Sequence, residues 1–234
     1  FFIQFVMYIL SQIDIPSSVQ SIGSFCFKSC ISLKKIILPS SKTSISSNCF
    51  SACSSLSQFT IPTLIKIIEN GAFEGCSSLT QIEIPSSVNQ IGHNCFDGCT
   101  KLQKFSIDPY CTNFYNDIFE EKPALKYLII TNVNKLPDLY KDKSIFYRAI
   151  EKSTFCECSS LTKINIPSSI KSIGNRAFYG CSSLTQIAVP SSVKSIGDGA
   201  FGECSSLTQI TLPLSINVKN LSIDSSVKVK RVYF

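Results

Sequence analysis

Apolar residues along the chain keep a phase that repeats every 23 residues. Pro16, Pro39, Pro62 and Pro85 mark it in the first half, and Pro167, Pro190 and Pro213 mark it in the second. With each proline slot counted as position zero, position 11 is Phe in every complete repeat: Phe27, Phe50, Phe73, Phe96, Phe119, Phe155, Phe178 and Phe201. Position 17 is Leu, position 20 is Ile, Leu or Phe, and position 22 is Ile, Leu or Val, as in Leu79, Ile82 and Ile84. A large aromatic recurring once per turn predicts a stacked core ladder. The alternation Ile82-Glu83-Ile84 predicts a short strand with two side chains inward and one outward. The stretch Ile-Gly-x-x-Ala-Phe-x-Gly-Cys is too short for an ordinary helix. It predicts a turn of α- or 3₁₀-helix on the side opposite the strand.

The phase also sets the domain organisation. Asp108 and Thr131 occupy the next two proline slots, and Leu125 to Ile130 still matches Leu79 to Ile84. Thr131 and Pro167 are 36 residues apart, 13 more than one repeat, which places a single insertion at 131–143. One unit cannot bury its own apolar face, whereas stacked units share a continuous core. The chain therefore reads as a curved solenoid in one domain spanning 1–234. It has a partial first repeat at 1–15, regular repeats at 16–130 and 144–213, and a C-terminal cap at 214–234. Nine copies of Leu-x-x-Ile-x-Ile predict about nine short parallel strands.

A unit of the form I-P-S-S-V-x-S-I-G-x-x-A-F-x-G-C-S-S-L-T-x-I-x-I resembles the BspA-like leucine-rich repeat, over about residues 7–213. The resemblance implies an α/β solenoid, a right-handed horseshoe with a parallel sheet on the concave face and short helical or 3₁₀ turns opposite. It also implies a protein–protein recognition module of the kind found on the surface of host-associated bacteria and anaerobic protozoa and linked with adhesion to host matrix proteins. The stretch 108–150 departs from the pattern.

Composition narrows the field. Of 234 residues, 44% are hydrophobic and 16% charged, enough apolar content for a core and too much for a disordered chain. No apolar run approaches the ~20 residues of a membrane-spanning helix. A net charge of +6 is modest and does not by itself call for nucleic acid.

Twelve cysteines invite a metal or disulfide reading. Seven share position 14 (Cys30, Cys53, Cys76, Cys99, Cys158, Cys181 and Cys204), and Cys26, Cys49 and Cys95 share position 10, where other repeats carry Ala72, Thr154 or Ala177. Exchange with Ala and Thr points to a small buried side chain. Two other readings stay open: a zinc cluster of Cys26, Cys30, Cys49 and Cys53, and disulfides between neighbouring turns. His93, the sole histidine, sits at position 8, where Ser24, Asn70 and Asp198 are its equivalents. That is a solvated turn position, which argues against a catalytic triad. No phosphate loop, H-E-x-x-H or calcium loop occurs. The chain is expected to be no enzyme and to need no cofactor. The serines of Pro-Ser-Ser and Cys-Ser-Ser-Leu are expected to satisfy nearby backbone groups.

Area is then what remains to offer a partner. Outward position 19 carries Lys35, Gln58, Gln81, Lys104, Tyr127, Lys163, Gln186 and Gln209, a polar row suited to an extended protein partner. The irregular middle adds Tyr110, Tyr115, Tyr140, Lys141 and Lys143, because tyrosine supplies contact area at small entropy cost. The plain alternative is that both sets merely solvate or patch a duplicated unit. The alternating Val227-Lys228-Val229-Lys230 predicts a capping strand with a basic outer row. The favoured partner is another protein, with an extracellular matrix or host protein as one candidate, bound at the cell surface or after secretion. The competing reading is a cytoplasmic scaffold or regulator.

Overall fold

A computed structural model of the chain describes residues 9–107, 113–114, 118–119, 125–130, 149–219 and 221–232. The chain forms two compact units, 1–105 with 113–125 and 106–112 with 126–234. Each is a stack of coils whose strands run parallel, in the register that the 23-residue phase demands.

In the first unit, β1 (Gln12–Asp14), β2 (Lys35–Ile37) and β3 (Ser44–Ile45) are followed by β4 (Gln58–Phe59), β5 (Ile67–Ile68), β6 (Gln81–Glu83) and β7 (Gln90–Ile91). β8 (Lys104–Ile107) crosses the boundary between the units, and β9 (Asn113–Phe114) returns to the first. β1, β2 and β4 pair in parallel, Gln12 opposite Lys35 and Lys35 opposite Gln58, with β6 beside β4. β3, β5, β7 and β9 form a separate parallel set, with Ile45 opposite Ile68 and Ile68 opposite Ile91.

The second unit repeats the scheme with β10 (Tyr127–Ile130), β11 (Ala149–Ile150), β12 (Lys163–Asn165), β13 (Ser172–Ile173), β14 (Gln186–Ala188), β15 (Ser195–Ile196), β16 (Gln209–Pro213) and β17 (Lys228–Val232). Tyr127 faces Lys163 across β10 and β12, so this one register is 36 residues long. The insertion at 131–143 itself lies outside the described residues.

The core follows the phase. Every position-11 Phe and every position-17 Leu from Leu33 onward is buried. Phe27, Phe50, Phe73 and Phe96 stack at 5.5, 5.5 and 5.4 Å, as do Phe155, Phe178 and Phe201 at 5.6 Å each. Phe59 and Phe105, at position 20, meet these rings edge-on or tilted, which suits the ring quadrupole.

The expected helical or 3₁₀ turns are corrected by the structure. Positions 7 to 14 hold no helix in the described coils, and β3, β5, β7, β11, β13 and β15 form a second set of strands just before them. The reason is a backbone alternation. Positions 9 and 13 have φ between 51° and 72° in coil after coil, as at Asn48, Ala52, Gly71, Gly75, Asn94 and Gly98. A left-handed residue at every fourth position breaks any helix. It also turns alternate N–H groups toward the next coil: Asn48 donates to Asn70, Phe50 to Ala72 and Ala52 to Glu74, at 2.9, 2.9 and 2.6 Å. The turn region is thus a ladder of inter-coil hydrogen bonds, which satisfies the backbone without a helix.

The position-14 thiols take part in the same ladder. Cys53, Cys76 and Cys99 point Sγ at the carbonyls of Phe27, Phe50 and Phe73 in the preceding coil, at 3.0, 3.2 and 3.2 Å. Cys181 and Cys204 do so to Phe155 and Phe178. Cysteine suits this slot because it is small, apolar and still a weak donor. The expectation for the serines holds only partly. In Cys-Ser-Ser-Leu, Ser77 Oγ donates to Ser54 O and Ser182 Oγ to Ser159 O, each at 3.4 Å, but the buried hydroxyls of Ser87, Ser169 and Ser192, second in each Pro-Ser-Ser corner, have no partner among the described residues.

Candidate interaction surface

The strands that carry position 19 place it outward because each is only two to five residues long and anchored by the buried residue at position 20. β2, β6 and β14 share one pattern: exposed, buried, exposed. Lys35, Gln58, Gln81, Lys104, Tyr127, Lys163 and Gln186 are exposed, and Gln209 is half-buried. Within the first unit, register brings Gln12, Lys35 and Gln58 into one row. Within the second, it joins Tyr127 to Lys163 and Gln186 to Gln209. At position 21, Ile37 in the first unit is 47% exposed, and Ser106 in the second is buried. Tyr110, Tyr115, Tyr140, Lys141 and Lys143 lie outside the described residues.

One extension of the face escaped the phase. Lys228 and Lys230 pair opposite Gln209 and Thr211, so β17 continues both outward rows. Its last coil is 19 residues long, which hides the alignment in a 23-residue count. Arg231, from the same strand, turns back and donates through Nη1 to the carbonyls of Pro213 and Ile216 at 2.9 and 2.7 Å. It ties β17 to the coil before it.

The turn side offers little chemistry. His93 is exposed, and its N–H donates to Asn70 Oδ1 at 3.0 Å. Asn175 Oδ1 accepts from Asp198 N at 3.1 Å in the same way, and Glu69 Oε2 accepts from Ser47 N and Oγ at 2.9 and 2.8 Å. Position 8 is therefore a structural rung. Among the described residues, eleven cysteines stand outside any disulfide: Cys26 is exposed, while Cys30, Cys49 and Cys53 are buried. Cys53 shares a hydrogen bond with Cys30, which holds Cys30 below and Cys53 above the ordinary thiol value. Burial pushes Cys49 and Cys99 up to about 12 and Cys204 up to about 11. Such thiols stay protonated and are poor metal ligands. Among the described residues, no group of three or more His, Cys, Asp and Glu side chains is placed to hold a metal ion. No helix among them is long and apolar enough to cross a membrane.

A coil of this design, with stacked Phe, Leu and Ile inside and polar rows outside, defines a leucine-rich repeat protein. The family model for the BspA type leucine rich repeat region matches residues 4–126 and 143–234 in six copies, and the chain belongs to that family. No curated protein matches. Among solved structures, a leucine-rich repeat protein from Bacteroides ovatus is 23% identical, covers 96% of this chain and 67% of its own, and superposes with a TM-score of 0.55. One from Eubacterium ventriosum is 24% identical, covers 88% of this chain and 61% of its own, with a TM-score of 0.51. These likenesses establish the fold, a parallel-strand solenoid of stacked coils.

Proposed function

We propose that the outward sheet rows form a surface that recognises another protein, without chemistry of its own, and that the protein acts at the cell surface or after secretion in adhesion or host interaction. The observation that carries the reading is the register: residues 23 apart in sequence stand side by side as an exposed polar row over a buried apolar one. A rigid, repeated face holds its donors in place before a partner arrives, which lowers the ordering cost of binding. Family membership supports the reading, since leucine-rich repeats generally serve as non-catalytic interaction modules.

A photo-crosslinking residue at Gln81 or Gln186 is expected to capture a partner from the native cell surface or its surroundings. The same residue at Glu74 or Tyr179, on the turn side, is expected to capture none. Equal capture from both sides would remove the sheet face as the site. The cytoplasmic reading draws support from the eleven described cysteines outside any disulfide, which suit a reducing compartment. Labelling of intact cells with an impermeant reagent separates the two, because only a surface protein is modified before lysis.

A further inference from the structure

The two units differ in the charge of their outward rows. In the first, Lys35 on β2 and Lys104 on β8 are balanced by Asp14 on β1 and Glu83 on β6. In the second, β10, β12, β14, β16 and β17 carry no carboxylate at all, and Lys163, Lys228 and Lys230 project from them, exposed. The described acidic residues of this unit sit elsewhere. Glu151, Glu157, Asp198 and Glu203 belong to the turn ladder, and Asp224 is held in the last coil by the N–H of Ser226 at 2.8 Å. Among the described residues, none of the three lysines has a carboxylate within ion-pairing distance. Separation of this kind is not needed for solubility, which interspersed charge serves as well.

Resting on the reading of the sheet face as a recognition surface, we infer that the second unit binds an extended acidic peptide segment of its protein partner. The segment lies across β12, β14, β16 and β17. The repeat phase and the strand pairing together set the fit. Register puts Gln186, Gln209 and Lys228 in one row, and β12, packed beside β14, carries Lys163 at the same repeat position, three strands from Lys228. Three inter-strand steps cover about 14 Å. Four residues of an extended peptide also cover about 14 Å, and residues two apart share a face. Carboxylates at i and i+4 then meet Lys163 and Lys228. The residue at i+2 lies over the glutamine amides, whose donors and acceptors suit a polar side chain or backbone. Lys230 lies one row over, beside Thr211, and enlarges the positive end.

The test uses the intact chain and fluorescein-labelled twelve-residue peptides followed by anisotropy. A Ser-rich peptide with Glu at i, i+4 and i+8 is the probe. Its Gln counterpart and a peptide with Glu at i, i+3 and i+6 are the comparisons. The i, i+4 peptide is expected to bind tightest, to weaken as salt is raised, and to lose roughly tenfold in the K163Q/K228Q/K230Q variant. The K35Q/K104Q variant is expected to bind as the parent does. Equal binding of the Gln peptide, or unchanged affinity in the triple variant, overturns the inference. So does self-association of K228Q/K230Q with peptide affinity unchanged, which would make these lysines guards of an edge strand. A heparin fragment or a dT oligonucleotide that binds as tightly as the i, i+4 peptide assigns the face to polyanions at large and likewise overturns it. Failure here with crosslinking at Gln186 intact would sink only the acidic partner; loss of that crosslink as well would sink the surface.

Discussion

Phe73→Ala tests the stack most directly. Phe73 is fully buried, lies 5.5 Å from Phe50 and 5.4 Å from Phe96, and receives Phe59 nearly edge-on at 4.8 Å. Removing a buried Phe ring generally costs about 3–5 kcal/mol. Three ring partners, each contributing about 0.5–1.5 kcal/mol beyond buried area, place this site at the upper end, near 4–5 kcal/mol. Phe27 has one stacked partner, Phe50, and stands at the first described rung of the ladder. Its replacement by Ala is expected at the lower end, about 3 kcal/mol. Phe73→Leu, which keeps most of the volume, should cost about 1–2 kcal/mol and remain foldable if the Ala variant does not. Urea unfolding followed by far-ultraviolet circular dichroism gives all three from the midpoint and slope. If Phe73→Ala cost no more than Phe27→Ala, or under about 1 kcal/mol, the ladder would not be the spine of the fold.

Three further outcomes follow from the contacts. Gly174→Ala should cost about 1–3 kcal/mol, because a Cβ there would sit 2.5 Å from the backbone nitrogen of Lys152 in the neighbouring coil. Gly23→Ala, with no described residue within 4 Å, should change stability by less than about 0.5 kcal/mol, and equal urea midpoints for the two variants would deny close coil-to-coil approach at Gly174. Iodoacetamide under native conditions should modify Cys26 and leave Cys49, Cys76 and Cys99 untouched until urea is added; mass spectrometry showing those three alkylated in the folded protein would contradict their burial. Stability should also fall in alkali. Burial raises Cys49 and Cys99 from the ordinary 9.0 to about 12, so the unfolded chain releases protons first. The contribution is whole below pH 9.0 and is lost as pH rises toward about 12, and a urea midpoint that stayed flat across that range would refute it.

Much of the candidate site was legible in sequence, and for one reason. A strict 23-residue period with paired parallel strands leaves a residue at position 19 no neighbour but the next position 19. Lys35 beside Gln58 and Gln186 beside Gln209 could thus be placed by counting. Lys228 could not, because the last coil is four residues short and only hydrogen bonding to β16 shows which row it joins. The charge contrast between the units was hidden with it. Without β17, the outward rows of the second unit show a single lysine, Lys163.

The sequence by itself determined the phase, and the phase determined the core. Phe at position 11, Leu at 17 and aliphatic residues at 20 and 22 can be buried together only if coils stack in register, since no single coil has an interior. Tertiary structure alone decided how the other side of each coil is built. The pattern from Ile-Gly to Gly-Cys contains good helix formers, and local propensity allowed a helical turn there. Left-handed residues at positions 9 and 13 are not all glycine: Arg176 and Glu157 adopt the same φ as Gly71 and Gly75. What holds them is the carbonyl of the next coil, which accepts from Arg176 N at 3.0 Å and from Glu157 N at 2.6 Å. An inter-coil hydrogen bond outweighs the cost of a left-handed side chain, and that partner exists only once the next coil is in place.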